Sequence, residues 1–302
     1  MKKLIALMLV LVLVMTMFAA CSDAKKSNDD SDDTTKATIK GEPVPDKNDP
    51  SGDNSNSEND SVDMENVVYD DNGLTITVTG YKNGFFGPEV SLSIENTTDS
   101  NIALSTDDCI VNGITVGGLG YIKVPAGEVV EDSVSIYDTD MAAAGIEKIG
   151  TIVFQNAHII DADSFDTLYD VPFQVTVNSD VEQAIDTTGE VIFNDKGITV
   201  IAKVIEDDPN NENVYLLIKN ETGKDITVDG IDIKVNGSDV DAWLYDTIYA
   251  DTVRYSDFGL SLSTMEELGM DAVETIEFGM MFVYTDSYDL IAETETLTIT
   301  VD

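Results

Sequence analysis

The chain has 302 residues, with 58 Asp plus Glu against 16 Lys plus Arg and a formal net charge of -42 at pH 7. That imbalance argues against a nucleic-acid partner, whose phosphates need a basic face to neutralise them, and against lying flat on an anionic membrane. It suits solubility and self-repulsion at a wet cell surface, or a surface for cations and basic partners; the length fits one large or two small domains.

Residues 1–20 read as an export signal. Lys2 and Lys3 form a positive start, Leu4 to Phe18 is apolar except for Thr16, and Ala19 and Ala20 are small. Charge, short apolar run and small residues are the parts of a signal peptide. Fifteen helical residues span about 22 Å, short of the roughly 30 Å hydrocarbon core, so a retained membrane helix is the weaker alternative. Phe18-Ala19-Ala20-Cys21 resembles the lipobox of bacterial lipoproteins, with Phe18 where Leu is usual. In that family the cysteine sulfur carries diacylglycerol and the chain is cut just before it. The resemblance implies lipidation of Cys21, which would hold the protein on the outer face of the bacterial cytoplasmic membrane. Two acyl chains anchor durably where one is marginal.

Residues 21–65 change character. Stretches such as Ser27-Asn28-Asp29-Asp30-Ser31-Asp32-Asp33 are almost without apolar side chains. Nothing there offsets the entropy of ordering, which predicts a disordered acidic tether. As a flexible coil it spans roughly 35–40 Å, more once like charges repel.

From residue 66 the sequence repeats itself with an offset of 124. Val90, Leu92, Ile94 and Asn96 match Val214, Leu216, Ile218 and Asn220; Val111-Asn112-Gly113 matches Val235-Asn236-Gly237; Met141, Gly145, Ile152 and Phe154 match Met265, Gly269, Ile276 and Phe278. This predicts a duplication: domains over 66–178 and 190–302, joined by 179–189, each long enough for its own core. Within each copy apolar and polar residues alternate, as in Leu74, Ile76 and Val78 or Phe173, Val175 and Val177. Period two with one apolar face means antiparallel sheet buried on one side. Asn-Gly at 112–113 and 236–237 marks tight turns. Ser263-Thr264-Met265-Glu266 is a capping box closed by Gly269, and Thr139-Asp140 with Gly145 repeats the arrangement, so each copy should hold one short helix. The expected fold is all-β: two tandem immunoglobulin-like antiparallel β-sandwiches.

Asp71-Asn72-Gly73 before an alternating strand, Ile94-Glu95-Asn96-Thr97, Val111-Asn112-Gly113 and Asp163-Ser164-Phe165-Asp166 resemble tandem domains in surface lipoproteins of clostridia-like Gram-positive bacteria. The resemblance covers both domains and implies location and fold; it brings no defined activity and no cofactor.

Few residues invite chemistry. His158 is the only histidine, and its counterpart in the second copy is Phe282; a strand residue is the simpler reading than a catalytic or zinc-binding one. Cys109 corresponds to Ile233 and is expected in the core. Asp161, Asp163, Asp166 and Asp170 are weak candidates for calcium, because they offer hard oxygen ligands without the glycine turn and terminal glutamate of an EF-hand loop. Asp163 and Asp166 recur as Asp286 and Asp289 around an aromatic residue, which suits a structural corner. Gly117-Gly118-Leu119-Gly120 lacks the Lys-Ser/Thr of a phosphate loop. Tyr81, Phe85 and Phe86 surround a glycine-rich turn where the second copy has Glu206-Asp207-Asp208-Pro209 instead, so they form a possible binding loop. The expected function is non-enzymatic: a membrane-anchored extracellular lipoprotein displaying two modules for adhesion, scaffolding or binding of a protein or glycan. The alternative is a lipoprotein that captures a small molecule, glycan or cation.

Overall fold

The computed structural model describes residues 62–85, 87–204, 214–260, 269–270 and 273–301. The export signal, Cys21, the tether up to Ser61, Phe86 and the capping box at 263–266 lie outside the described residues.

The regular structure of the described chain is strand, apart from one short helix. Its N-terminal half runs β1 (Val62–Asp71), β2 (Leu74–Asn83), β3 (Pro88–Asn96), β4 (Ile102–Thr106), β5 (Cys109–Val111), β6 (Ile114–Val116), β7 (Gly118–Val124), β8 (Val129–Ile136), helix α1 (Asp138–Ala143), β9 (Thr151–Phe154), β10 (His158–Asp161), β11 (Thr167–Asp170) and β12 (Phe173–Thr176). The C-terminal half runs β13 (Glu190–Asp195), β14 (Ile198–Val204), β15 (Val214–Asn220), β16 (Ile226–Val235), β17 (Ser238–Asp239), β18 (Tyr245–Ile248), β19 (Val253–Ser256), β20 (Thr275–Tyr284), β21 (Leu290–Glu293) and β22 (Leu297–Thr300).

The expected alternation holds in β2, β3 and β12. Leu74, Ile76 and Val78 face inward beside Val90, Leu92 and Ile94, and join Ile102, Leu104, Ile152 and Phe154 in one buried cluster. A second cluster gathers Ile198, Val200, Leu216, Ile218, Phe278 and Phe282. Hairpins close where both central residues reach positive φ. Asn112 and Gly113 sit at 52 and 87 degrees, and Asn236 and Gly237 at 51 and 75 degrees, the backbone a type I′ turn demands. Asn112 Oδ1 also accepts from the N–H groups of Gly150 and Thr151, as Asn236 Oδ1 does from Glu274 and Thr275.

A deeper parallel lies at two buried asparagines. Asn96 Nδ2 donates to the carbonyls of Ser100, Val124 and Pro125. Asn220 Nδ2 donates to those of Lys224, Ile248 and Tyr249. Each Oδ1 accepts from the N–H and hydroxyl of the threonine two residues on. A buried amide left unpaired costs several kcal/mol in an apolar medium, so each asparagine ties three chain segments together.

The helix differs from expectation at its start. Its N-cap is Tyr137, without a side-chain cap, and Asp138 to Asp140 are already in the first turn. Asp140 is spent elsewhere: its Oδ2 accepts from the Gly117 N–H at 2.7 Å. Gly145, at a φ of 64 degrees, ends the helix as predicted, with Ile146 N–H donating back to the Met141 carbonyl.

The pairing across the halves is not local. The strand order β12-β9-β5-β6-β19-β15-β14-β13 is one sheet drawn from both halves. β6 meets β19 in parallel, Ile114 opposite Val253 and Thr115 opposite Arg254, the one parallel pairing among the described residues. It satisfies two edges that would otherwise expose unpaired N–H and C=O groups. Ile201, Tyr215, Leu217, Val253 and Tyr255 of the C-terminal half are buried in the same cluster as the N-terminal core. The joining segment lies on this face too: Lys203 Nζ donates to the Asp186 carboxylate and to the Asp186 and Thr188 carbonyls.

Candidate functional site

The loop after β2 presents only part of what its sequence promised. Phe85 is 90% exposed, whereas Tyr81 is 8% exposed and belongs to the core. The cause is a bulge: the β2–β3 register shifts between Val78 and Gly80, which turns Tyr81 inward opposite Val90. Beside this loop run two shallow hollows of about 440 and 340 Å3, which share Asn83, Pro88 and Met141. Tyr81, Ile149 and Val177 form apolar wall and Glu147, Lys148 and Asn178 polar wall of the larger one.

The aspartates at 161–170 are occupied with the turn itself. Asp161 Oδ1 accepts from the N–H groups of Asp163 and Ser164 at 2.9 and 2.8 Å, and these bonds hold its carboxyl below the usual range. Ser164 Oγ donates to Asp166 Oδ2, and Asp170 Oδ1 meets His158 Nδ1 at 2.9 Å. Among the described residues no group of three or more His, Cys, Asp or Glu side chains is placed to hold a metal ion. Cys109 is a free thiol in the core, and burial pushes its pKa up, away from reactive thiolate.

A second exposed surface is the outer face of β18, β16, β20 and β21. Trp243 and Tyr245 are 62% and 61% exposed, with buried Leu244 between them. Tyr288, 69% exposed, stands at the tip of the β20–β21 turn. Burial first, then the nearby Tyr288 and Asp229, push the Tyr245 phenol above its ordinary range. Strand register lays Tyr245, Asp229, Met281 and Glu293 in one row across the face, since directly paired residues share a side. Exposed Leu290 lies in the neighbouring row, opposite Val283. The Trp243 indole rests on Gly259, where a Cβ would come within 2.4 Å of the ring. The face is thus a hydrophobic strip set among carboxylates.

The same place in the N-terminal half is more polar. There the row is Tyr121, Ser105, His158 and Asp170, and Leu119 stands where Trp243 does. The clue in the sequence was Trp243, the single tryptophan of the chain, two residues from Tyr245 with one apolar residue between. No family model and no curated protein matches the chain.

Proposed function

We propose that this chain is a non-enzymatic, exported binding protein. Lipid on Cys21 holds it at the outer face of the membrane, residues 22–61 space it from that surface, and two immunoglobulin-like sandwiches over 62–178 and 190–302 form the displayed body, the first strand beginning at Val62, four residues inside the expected tether. The matching bonds of Asn96 and Asn220 support the reading of those two segments as copies of one unit. The anchor has its own check: Cys21→Ala should abolish incorporation of labelled palmitate, and continued labelling would remove it.

One observation carries the binding function: Trp243, Tyr245 and Tyr288 are all exposed, and Tyr288 lies close enough to Tyr245 to push its phenol up. Aromatic side chains dominate the energetics of protein interfaces, because each buries a large area at small rotamer cost. Their neighbours here are Asp229 and Glu293, on a chain of charge -42. Charge complementarity therefore favours a basic protein segment, its Lys or Arg side chains over the rings and its cations against the carboxylates. A Lys/Arg-rich synthetic peptide is the probe. Trp243→Ala with Tyr245→Ala leaves the formal charge unchanged and should weaken its binding at least tenfold at 0.15 M salt. Equal affinity for the variant and the native chain would refute the face as the binding site.

The hollows beside Phe85 favour a second reading, capture of a small ligand at the end of the N-terminal half. Their shallow form and mixed walls fit a drug-sized ligand less well than an enclosed apolar pocket would.

A further inference from the structure

Arg254 is the only arginine in the 302 residues, and it sits where the two halves meet. Its Nη1 donates to Asp108 Oδ2 at 2.6 Å and its Nη2 lies 2.8 Å from Asp246 Oδ1 and 3.7 Å from Asp140 Oδ2. Asp108 and Asp140 belong to the N-terminal half, Asp246 to the C-terminal half. The guanidinium is largely buried, and its Nε finds no hydrogen-bond partner among the described residues. Neighbouring bonds cross the same boundary: Tyr249 Oη donates to the Asp108 carbonyl at 3.0 Å, and the hydroxyls of Thr115 and Thr252 meet at 2.8 Å. Three carboxylates thus share one guanidinium in a partly desolvated space.

We propose that this cluster is a proton-operated latch, which holds the two halves together more tightly in mildly acidic than in neutral surroundings. Ionised, the three aspartates outnumber the cation, and no other cation faces them among the described residues. Asp107 and Asp257 add negative charge, while Tyr137, Tyr249 and the Cys109 thiol stand by in neutral form. A proton taken up by one carboxylate removes surplus charge while Arg254 keeps its partner on each side of the boundary.

Burial outweighs the pull of Arg254 and pushes the Asp108 carboxyl up to about 6, and Asp246 is raised for the same first reason. A carboxyl with a higher pKa folded than unfolded binds more protons in the folded state between about 4 and 6. Its stabilisation is complete at the acidic end and is lost as pH rises through about 6. Asp140 and Asp108 reach the cluster from α1 and the β4–β5 turn, Asp246 and Arg254 from β18 and β19. The latch therefore joins elements of both halves and does not stiffen one alone.

Urea unfolding of the full chain in detergent tests this at pH 7.5 and pH 5.0. The native folding constant should gain about tenfold on acidification from this carboxyl, beyond the general relief of self-repulsion. Asp108→Asn keeps the general relief, so its gain should be about tenfold smaller than the native one. If Asp108→Asn does not fold, Asp246→Asn is read the same way. A gain in the variant equal to the native gain overturns the latch.

Discussion

The same sheet face is written in two ways in the two halves. In the N-terminal half Thr77, Ser93 and Glu131 stand in one row across β2, β3 and β8. At the matching register of the C-terminal half the row is Ile201, Leu217 and Tyr255, across β14, β15 and β19. The first row meets solvent; the second is buried against the N-terminal core and the joining segment. The backbones are alike, so the difference lies in what each sheet was required to cover. Strand formation needs only the inward alternation. The outward residues decide whether the strand ends the molecule or continues it. An exchange of residues between the rows exposes this asymmetry. Leu217→Ser should cost about 3 kcal/mol, from lost transfer energy, a cavity and a buried hydroxyl. Ser93→Leu should change stability by no more than about 0.5 kcal/mol. Urea midpoints of the two variants at constant slope give both numbers; similar costs for the two would mean that the faces are equivalent after all.

Much of this was legible in the residues. Alternation placed the strands, Asn-Gly placed the hairpins, and Gly145 placed the helix end, because each is a local backbone requirement. The sheet shared by both halves was not, since the edge strand that β6 chooses depends on a surface 137 residues away at Thr252. A signal for it did exist: Val214-Tyr215-Leu216-Leu217-Ile218 is apolar without a break, where Val90-Ser91-Leu92-Ser93-Ile94 alternates. An unbroken run marks a strand covered on both sides. The inward turn of Tyr81 was not legible for a comparable reason. A single bulge at Gly80 reverses which side the ring takes, and no pattern of period two records it. The aromatic face and the junction were each announced by one unusual residue, the lone tryptophan and the lone arginine.

The two hairpin tips are alike in backbone and differ in setting. Phe165 and Tyr288 both sit in the left-handed region, at φ values of 63 and 59 degrees, and both are exposed. A bulky side chain there costs about 1–2 kcal/mol, which asparagine largely avoids. Neither ring buries enough to recover that cost, so each tip carries an aromatic residue at the expense of stability. Strain kept at an exposed position is a sign of use. Of the two, Tyr288 is the one that lies near the exposed Tyr245. Tyr288→Asn and Phe165→Asn should therefore each stabilise the chain by about 1 kcal/mol, seen as a rise of a few degrees in the melting temperature. They should part in binding: Tyr288→Asn should weaken the Lys/Arg-rich peptide severalfold and Phe165→Asn should leave it unchanged. Equal losses would place the contact on both tips, and a loss for Phe165→Asn alone would move the binding face to the N-terminal half.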